Sequence, residues 1–328
     1  MRLLNTKTME LADFIGEVPP YAILSHTWDE DEDIDIRNVV DAAHARDASN
    51  VEEIDDFRYV EDTFDWIWID TCCIDKSSSS ELSEAINSMY NWYEGASVCF
   101  AYLSDVHSRV DMTEFARSRW FTRGWTLQEL VAPRNVELYT STWELIGSKV
   151  VPGEVDLDTT TQIDTPVDLT ANISTATGIR EEYLRRSFKI DPSVAEKMSW
   201  AAKRSTSRKE DIAYCLLGLF DVNMPLLYGE GCSKAFLRLQ CEMMPRTNDD
   251  SILVWGWRGT SAERNTHNPY VSYLAVSPAR FAYCVDIVRA KVRPKGIDLV
   301  TTNRGMELEA PLCRYINSVL NLGYYIPI

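Results

Sequence analysis

Trp125 and Glu129 stand four residues apart in the run Ser118-Arg119-Trp120-Phe121-Thr122-Arg123-Gly124-Trp125-Thr126-Leu127-Gln128-Glu129-Leu130. On a helix such a pair shares one face. An indole can hold a flat, cationic ring, and a carboxylate beside it can act on the bond next to that ring. Arg119 and Arg123 add positive charge near the expected helix start, where an anion also binds well. The same residues fit a packing helix too, with the tryptophans as core anchors and Glu129 as a capping, salt-bridged or solvated position. The elements that carry the segment decide between these readings.

Those elements alternate. Tyr21-Ala22-Ile23-Leu24-Ser25 is a short apolar run that reads as a buried strand, with Ser25, His26, Thr27 and Trp28 delivered at its end. Residues 36–50 fit a helix. Phe64-Asp65-Trp66-Ile67-Trp68-Ile69-Asp70 is β-branched and aromatic and ends in an acid, so it predicts a second strand, with Trp66 and Trp68 in the core. Serines 77–80 start a helix whose stripe is Leu82, Ile86, Met89 and Tyr93, closed by Gly95. Residues 97–103 make a third strand ending at Ser104-Asp105, the Trp125 segment follows as a helix stopped near Pro133, and 136–139 make a fourth. Alternation of this kind predicts a mostly parallel α/β sheet flanked by helices. Ligands bind outside the carboxyl ends of such strands, which places His26, Asp70, Asp105 and the loop entering Trp125 along one edge. Trp120 is assigned to the core.

The expected organisation is an α/β core over 1–150 and a loop or linker over 151–177, rich in Thr, Asp and Pro. A helical extension packed on the core covers 178–250, and a short-strand part covers 251–328. Asp191-Pro192 is expected to open a helix through Ala202, with further helices at 209–220 and 232–244. Strands are expected at 252–255 and 299–301. The apolar finish Leu322–Ile328 reads as the cut end of a longer chain.

Bulk properties narrow the classes. The 328 residues carry a net charge of −17 with 45% hydrophobic content, which supports a large core and argues against nucleic acid or an anionic membrane as partner. The acid clusters in Asp29–Asp35 and across 52–65. It reads as a solvated loop, with a divalent-cation site as the other reading. Eight cysteines show no paired zinc spacing and lie in apolar runs, as reduced thiols of a cytosolic protein do. No metal site is expected. No run approaches the ~20 apolar residues of a membrane span, and no signal peptide is recognisable.

Four ordered blocks carry a resemblance: Tyr21–Trp28, Trp68–Lys76, Glu84–Tyr90 and Arg123–Leu130. Their order resembles the fungal heterokaryon-incompatibility (HET) domain, and Arg208–Gly231 is similar to the region that follows it in such proteins. The resemblance implies a cytoplasmic cell-death effector in fungal self/non-self recognition. It implies a homo-oligomer, working with a NOD-like receptor or another partner of that system. A more distant similarity to Toll/interleukin-receptor (TIR) domains implies a flavodoxin-like sheet. In the TIR members that cleave NAD, a Trp followed four residues later by Glu supplies the catalytic carboxylate, here Trp125 and Glu129. By this resemblance Glu129 is the catalytic residue, Ser25, His26, Trp28, Asp70, Arg123 and Trp125 bind substrate, NAD is the substrate, and no cofactor is required.

The chemistry is consistent with that implication. Breaking the nicotinamide–ribose bond passes through an oxocarbenium-like state that a nearby carboxylate stabilises. Two other readings stand beside it. One is a non-enzymatic adaptor that triggers cell death by self-association, since fold does not fix function. The other is a cysteine hydrolase using Cys72 or Cys73 with His26. Asp70 also fits a loop cap, Trp28 a lid over the core, and His26 a satisfied strand-end histidine.

Overall fold

Ala22, Ile23, Leu24 and Ser25 are buried without alternation, the mark of a strand covered on both faces. Around them the computed structural model builds a seven-stranded mixed sheet. It describes residues 1–27, 37, 39, 64–149, 167–187, 191–256 and 274–288, together with four short strands beyond 298. Trp28, the acidic run Asp29–Asp35, most of the acidic stretch 52–65 and nearly all of the expected 36–50 helix lie outside these residues; Arg37 and Val39 are helical.

In chain order the sheet comprises β1 (Arg2–Asn5), β2 (Leu11–Asp13), β3 (Ala22–His26) and β4 (Trp66–Trp68), then β5 (Val98–Tyr102), β6 (Val136–Tyr139) and β7 (Leu145–Lys149). Spatially the order is β2-β1-β4-β3-β5-β6-β7. The four central strands β4, β3, β5 and β6 are mutually parallel. The outer strands β1, β2 and β7 join by antiparallel pairing, and they are not expected from the sequence pattern. The chain moves from β3 to β4 on one side and then crosses to β5 on the other. The reversal falls between β3 and β5, and ligands of open α/β sheets sit outside the carboxyl ends of the strands at such a point.

The helices of this unit are α1 (Asp70–Cys73), α2 (Ser79–Gly95), α3 (Met112–Arg117), α4 (Thr126–Val131), α5 (Thr170–Thr177) and α6 (Glu181–Leu184). Helix α2 starts where its serines predict, with the Ser78 side chain accepting the Glu81 N–H at 3.3 Å. It buries Ala85, Ile86, Met89 and Tyr93, and the Tyr93 hydroxyl donates to the Leu24 carbonyl of β3 at 2.8 Å. Trp68 is fully buried as expected, whereas Trp66 is only partly covered. Helix α5 falls within the stretch read as a loop.

The chain divides into two units. One holds residues 1–188, 204–207 and 215–226, and the other holds 189–203, 208–214 and 227–328. In the second unit α7 (Val194–Ala201) is capped by Ser193, whose side chain accepts the Glu196 N–H at 3.1 Å. The Asp191-Pro192 pair therefore lies ahead of the cap and does not open the helix. The helix expected over 209–220 is α8 (Asp211–Tyr214) followed by a separate 3-10 turn at Gly218–Phe220; α9 (Cys232–Met243) is continuous. The apolar 252–255 stretch is not a strand. Asp249 accepts the Ser251 N–H at 3.0 Å and starts a 3-10 turn over Asp250–Leu253, side-chain capping prevailing over the apolar pattern. Two antiparallel hairpins follow, β8 (Leu299–Thr302) with β9 (Gly305–Leu308) and β10 (Cys313–Ile316) with β11 (Leu322–Tyr325). Among the described residues no helix is long and apolar enough to cross a membrane.

Candidate active site

Glu129 belongs to α4, and Trp125 is the residue just before it with helical dihedrals of −62° and −38°. The turn spacing expected from sequence therefore holds. Trp125 is half-buried, whereas Glu129 is 6% exposed. Two contacts fix the entry to α4. The Gly124 N–H donates to the Ser205 carbonyl at 2.8 Å, and the Ser205 N–H donates to the Thr122 carbonyl at 2.8 Å. A Cβ at Gly124 would stand 2.4 Å from Thr206 Cγ2 and 3.1 Å from Cys215 Sγ, so only glycine permits this approach.

The carboxyl of Glu129 meets strand β3. The Ser25 hydroxyl donates to Glu129 Oε2, and the Trp120 indole Nε1–H donates to Ser25 Oγ at 2.8 Å. Burial pushes the Glu129 carboxyl up to about 8, and Asp70 adds to the rise; the Ser25 bond, Arg204 and Arg123 oppose it. Near pH 7 the group is largely neutral. Asp70 begins α1 at the end of β4, with its Oδ1 3.9 Å from His26 Nδ1. Burial lowers His26, Asp70 raises it and Lys76 lowers it further, so the imidazole is neutral at the end of β3.

Arg204 supports this corner. Its Nη1 donates to the Arg123 carbonyl at 2.8 Å and to Thr126 Oγ1 at 2.9 Å. Thr126 in turn donates to the Trp120 carbonyl. Burial lowers the guanidinium to about 10. At the other end of α4, the buried Lys149 Nζ donates to the Leu130 carbonyl at 2.9 Å and the Pro133 carbonyl at 2.7 Å, satisfying carbonyls that a helix end leaves open. Burial lowers its ammonium to about 7.

Of the residues expected from sequence, Ser25 and Glu129 are in direct contact, and Asp70 and Arg123 act on Glu129 by charge. His26 joins through Asp70, and Trp125 lies one turn before the carboxyl. Arg123 Nη2 donates to Ser207 Oγ at 3.0 Å. Asp105 accepts the Ser118 hydroxyl at 2.6 Å and the Arg119 N–H at 2.7 Å, so it holds the turn ahead of Trp120. Trp28 lies outside the described residues. Trp120 and Arg204 are the members that sequence reasoning misses. Trp120 is buried as expected, but a buried indole needs an acceptor for its N–H, and that is the signal that could have found it. Arg204 sits in Lys203-Arg204-Ser205-Thr206-Ser207-Arg208, a run that reads as solvated surface.

Cys72 and Cys73 approach each other, with their sulfurs 3.8 Å apart. The Cys73 contact lowers the Cys72 thiol, while Cys73 itself is held well above the ordinary range. Cys73 is bound to the backbone of Ile69 and Ile67, as a packing thiol is. Among the described residues no group of three or more His, Cys, Asp or Glu side chains could hold a metal ion.

A mixed α/β sheet with a covered, elevated carboxyl at its strand reversal defines the class: an α/β domain with a candidate site at the carboxyl edge. Residues 21–115 match the family model described as heterokaryon incompatibility protein (HET). Over 240 residues, 69% of this chain, the sequence is 41% identical to the vegetative incompatibility protein HET-E-1 of Podospora anserina. The chain is therefore related to the heterokaryon-incompatibility proteins and carries their HET domain. The match takes in 16% of that relative, so the chain spans about one sixth of the length of the curated relative it matches. Ser25, His26 and Asp70 fall inside the family match. Glu129 lies beyond it, within the central part of the chain that a match of 69% necessarily includes. No solved structure matches the chain.

Proposed function

We propose that this chain is a cell-death effector of the heterokaryon-incompatibility type that cleaves NAD at the nicotinamide–ribose bond, with Glu129 as the catalytic carboxylate. The observation that carries the reading is the covered carboxyl of Glu129 at the strand reversal, bonded by Ser25, with Trp125 one helical turn before it on the same face. The TIR likeness of the sheet and the cytoplasmic setting belong to the same proposal.

In this reaction the bond between ribose C1′ and the pyridinium nitrogen breaks, and its electron pair leaves with nicotinamide, which departs neutral. Water supplies the oxygen that bonds to C1′, and its proton passes to the carboxylate or to solvent. The products are ADP-ribose, nicotinamide and one proton. Ionised Glu129 stabilises the oxocarbenium-like state, Trp125 stacks on the nicotinamide ring, and Arg123 faces the diphosphate. Ser25 holds the carboxyl, and His26 and Asp70 complete the pocket around the ribose. The arriving pyridinium cation draws the neutral carboxyl toward its charged form, because an opposite charge favours ionisation. At 6% exposure Glu129 must be uncovered as substrate enters.

Purified protein incubated with NAD at several protein concentrations tests this, with free nicotinamide as the readout. Release that disappears in Glu129→Gln supports the proposal, and full turnover by that variant removes Glu129 from the role. The burial of Glu129 also favours a second reading, in which the carboxyl is a structural partner of Ser25 and the chain acts as a self-associating adaptor. Concentration-dependent oligomers with no loss of NAD would select it.

A further inference from the structure

An indole N–H donates and cannot accept. Ser25 Oγ therefore accepts from Trp120 Nε1 at 2.8 Å, and the single proton of its hydroxyl is committed to its other polar neighbour, Glu129 Oε2. A serine beside a carboxylic acid can usually donate or accept. Ser25 Oγ keeps a second lone pair, but turning its proton away from Oε2 would leave a buried donor unpaired, so donation to Oε2 is the arrangement that satisfies the group. While that donation is kept, the carboxyl proton of the neutral form sits on Oε1.

We infer that Trp120 and Ser25 are positioning residues for Glu129, a relay that occupies Oε2 and leaves Oε1 as the oxygen that meets substrate. This rests on the reading of Glu129 as the catalytic carboxylate and extends it to the two side chains that orient it. The relay spans three elements: Trp120 in the 3-10 turn Arg119–Thr122, Ser25 on β3 and Glu129 on α4. Two anchors hold its indole end. Thr126 bonds the Trp120 carbonyl, and Arg204 bonds Thr126. The charged and titratable groups that act on the same carboxyl are Asp70 from α1, Arg123 after the 3-10 turn, Arg204, Tyr93 from α2 and Cys99 from β5. Among the described residues the hydrogen bond to the carboxyl comes from the Ser25 hydroxyl, not from any of these groups.

The relay has a consequence that mere packing lacks. The Ser25 bond favours the ionised carboxyl against the upward push of burial. Removing it must move ionisation to higher pH. Losing only the indole N–H removes the donor that polarises the serine hydroxyl, which weakens its bond to the carboxylate and moves ionisation in the same direction but by less.

The test is an NMR titration of the full chain, following the Glu129 carboxyl carbon and the Trp120 indole N–H together, in wild type, Ser25→Ala, Ser25→Thr and Trp120→Phe. In wild type the indole resonance should move with the midpoint of Glu129. Ser25→Ala should raise that midpoint by about one pH unit, the size expected for a lost bond to a charged group. Trp120→Phe should raise it less, and Ser25→Thr, which keeps the hydroxyl, should restore it. The rising limb of nicotinamide release should shift by the same amount, with kcat recovering at high pH and KM little changed. An indole resonance that ignores the titration of Glu129 overturns the relay, as does a Ser25→Ala midpoint that is unchanged or lower. The wild-type coupling requires no variant to fold and no turnover. A coupled titration in protein that releases no nicotinamide keeps the relay and removes the NAD reading, whereas turnover without coupling removes the relay alone.

Discussion

In the α/β unit Glu129 accepts from one hydroxyl and is otherwise enclosed, whereas in the helical unit Glu210 accepts the Gly229 N–H at 3.0 Å and the Gly231 N–H at 2.8 Å. Burial carries Glu129 up to about 8, and the backbone bonds, led by that from Gly231, hold Glu210 below the ordinary carboxyl range. Nearby Glu230 takes Arg238 Nε at 2.9 and 3.0 Å on its two oxygens. Glu210 is satisfied as an anion, and its bonds with those of Glu230 fasten the turn before α9. Glu129 has fewer donors than its charge needs, so its protonation responds to what binds beside it. The contrast separates a structural carboxylate from one able to do chemistry.

The sharpest break in the comparison is functional. Glu129→Gln should lower nicotinamide release by about 10²–10³-fold, the scale for losing one transition-state stabiliser, whereas Glu210→Gln should leave single-turnover release unchanged. Wild-type kcat/KM should climb with pH through about 8, because the reaction needs the ionised carboxylate and the free protein ionises there. A profile flat across that region would deny Glu129 its role.

Stability should separate the pair next. The Glu129 pKa is raised on folding, so its contribution is fully present below about 4.5 and is lost as pH rises through about 8. Denaturant unfolding should show wild type losing stability across that window relative to Glu129→Gln, by an amount on the order of a few kcal/mol. Glu210 is lowered on folding, and the sign reverses. Its contribution holds above the ordinary carboxyl range and falls away on acidification, so Glu210→Gln should flatten the acid limb of the melting profile. Smaller again is the effect of geometry. Gly124→Ala should cost about 1–3 kcal/mol by overpacking, because the Thr206 methyl and Cys215 sulfur occupy the space a Cβ needs. An unchanged unfolding midpoint would show that the 205–206 segment yields.

Much of the frame is legible because it is local. The unbroken apolar run at 22–25, the serine cap at Ser78 and the Trp125–Glu129 spacing each state a strand, a helix start and a shared face. The outer strands β1, β2 and β7 are not, since short strands of three to five residues with mixed burial have no clean period. The Asp250–Leu253 turn is mistaken for a strand because capping by Asp249 outweighs the apolar pattern there.

What the sequence by itself determined is the alternation of strands and helices and the face that Trp125 and Glu129 share, since both follow from backbone periodicity over a few residues. Only the tertiary structure decided the state of Glu129. Its hydroxyl donor lies 104 residues away, and the indole that orients that donor is 95 residues from Ser25. Arg204 reaches Thr126 across 78 residues. Desolvation and hydrogen bonding depend on what is packed around a group, and a pKa near 8 is a property of that enclosure, written at no single position of the chain.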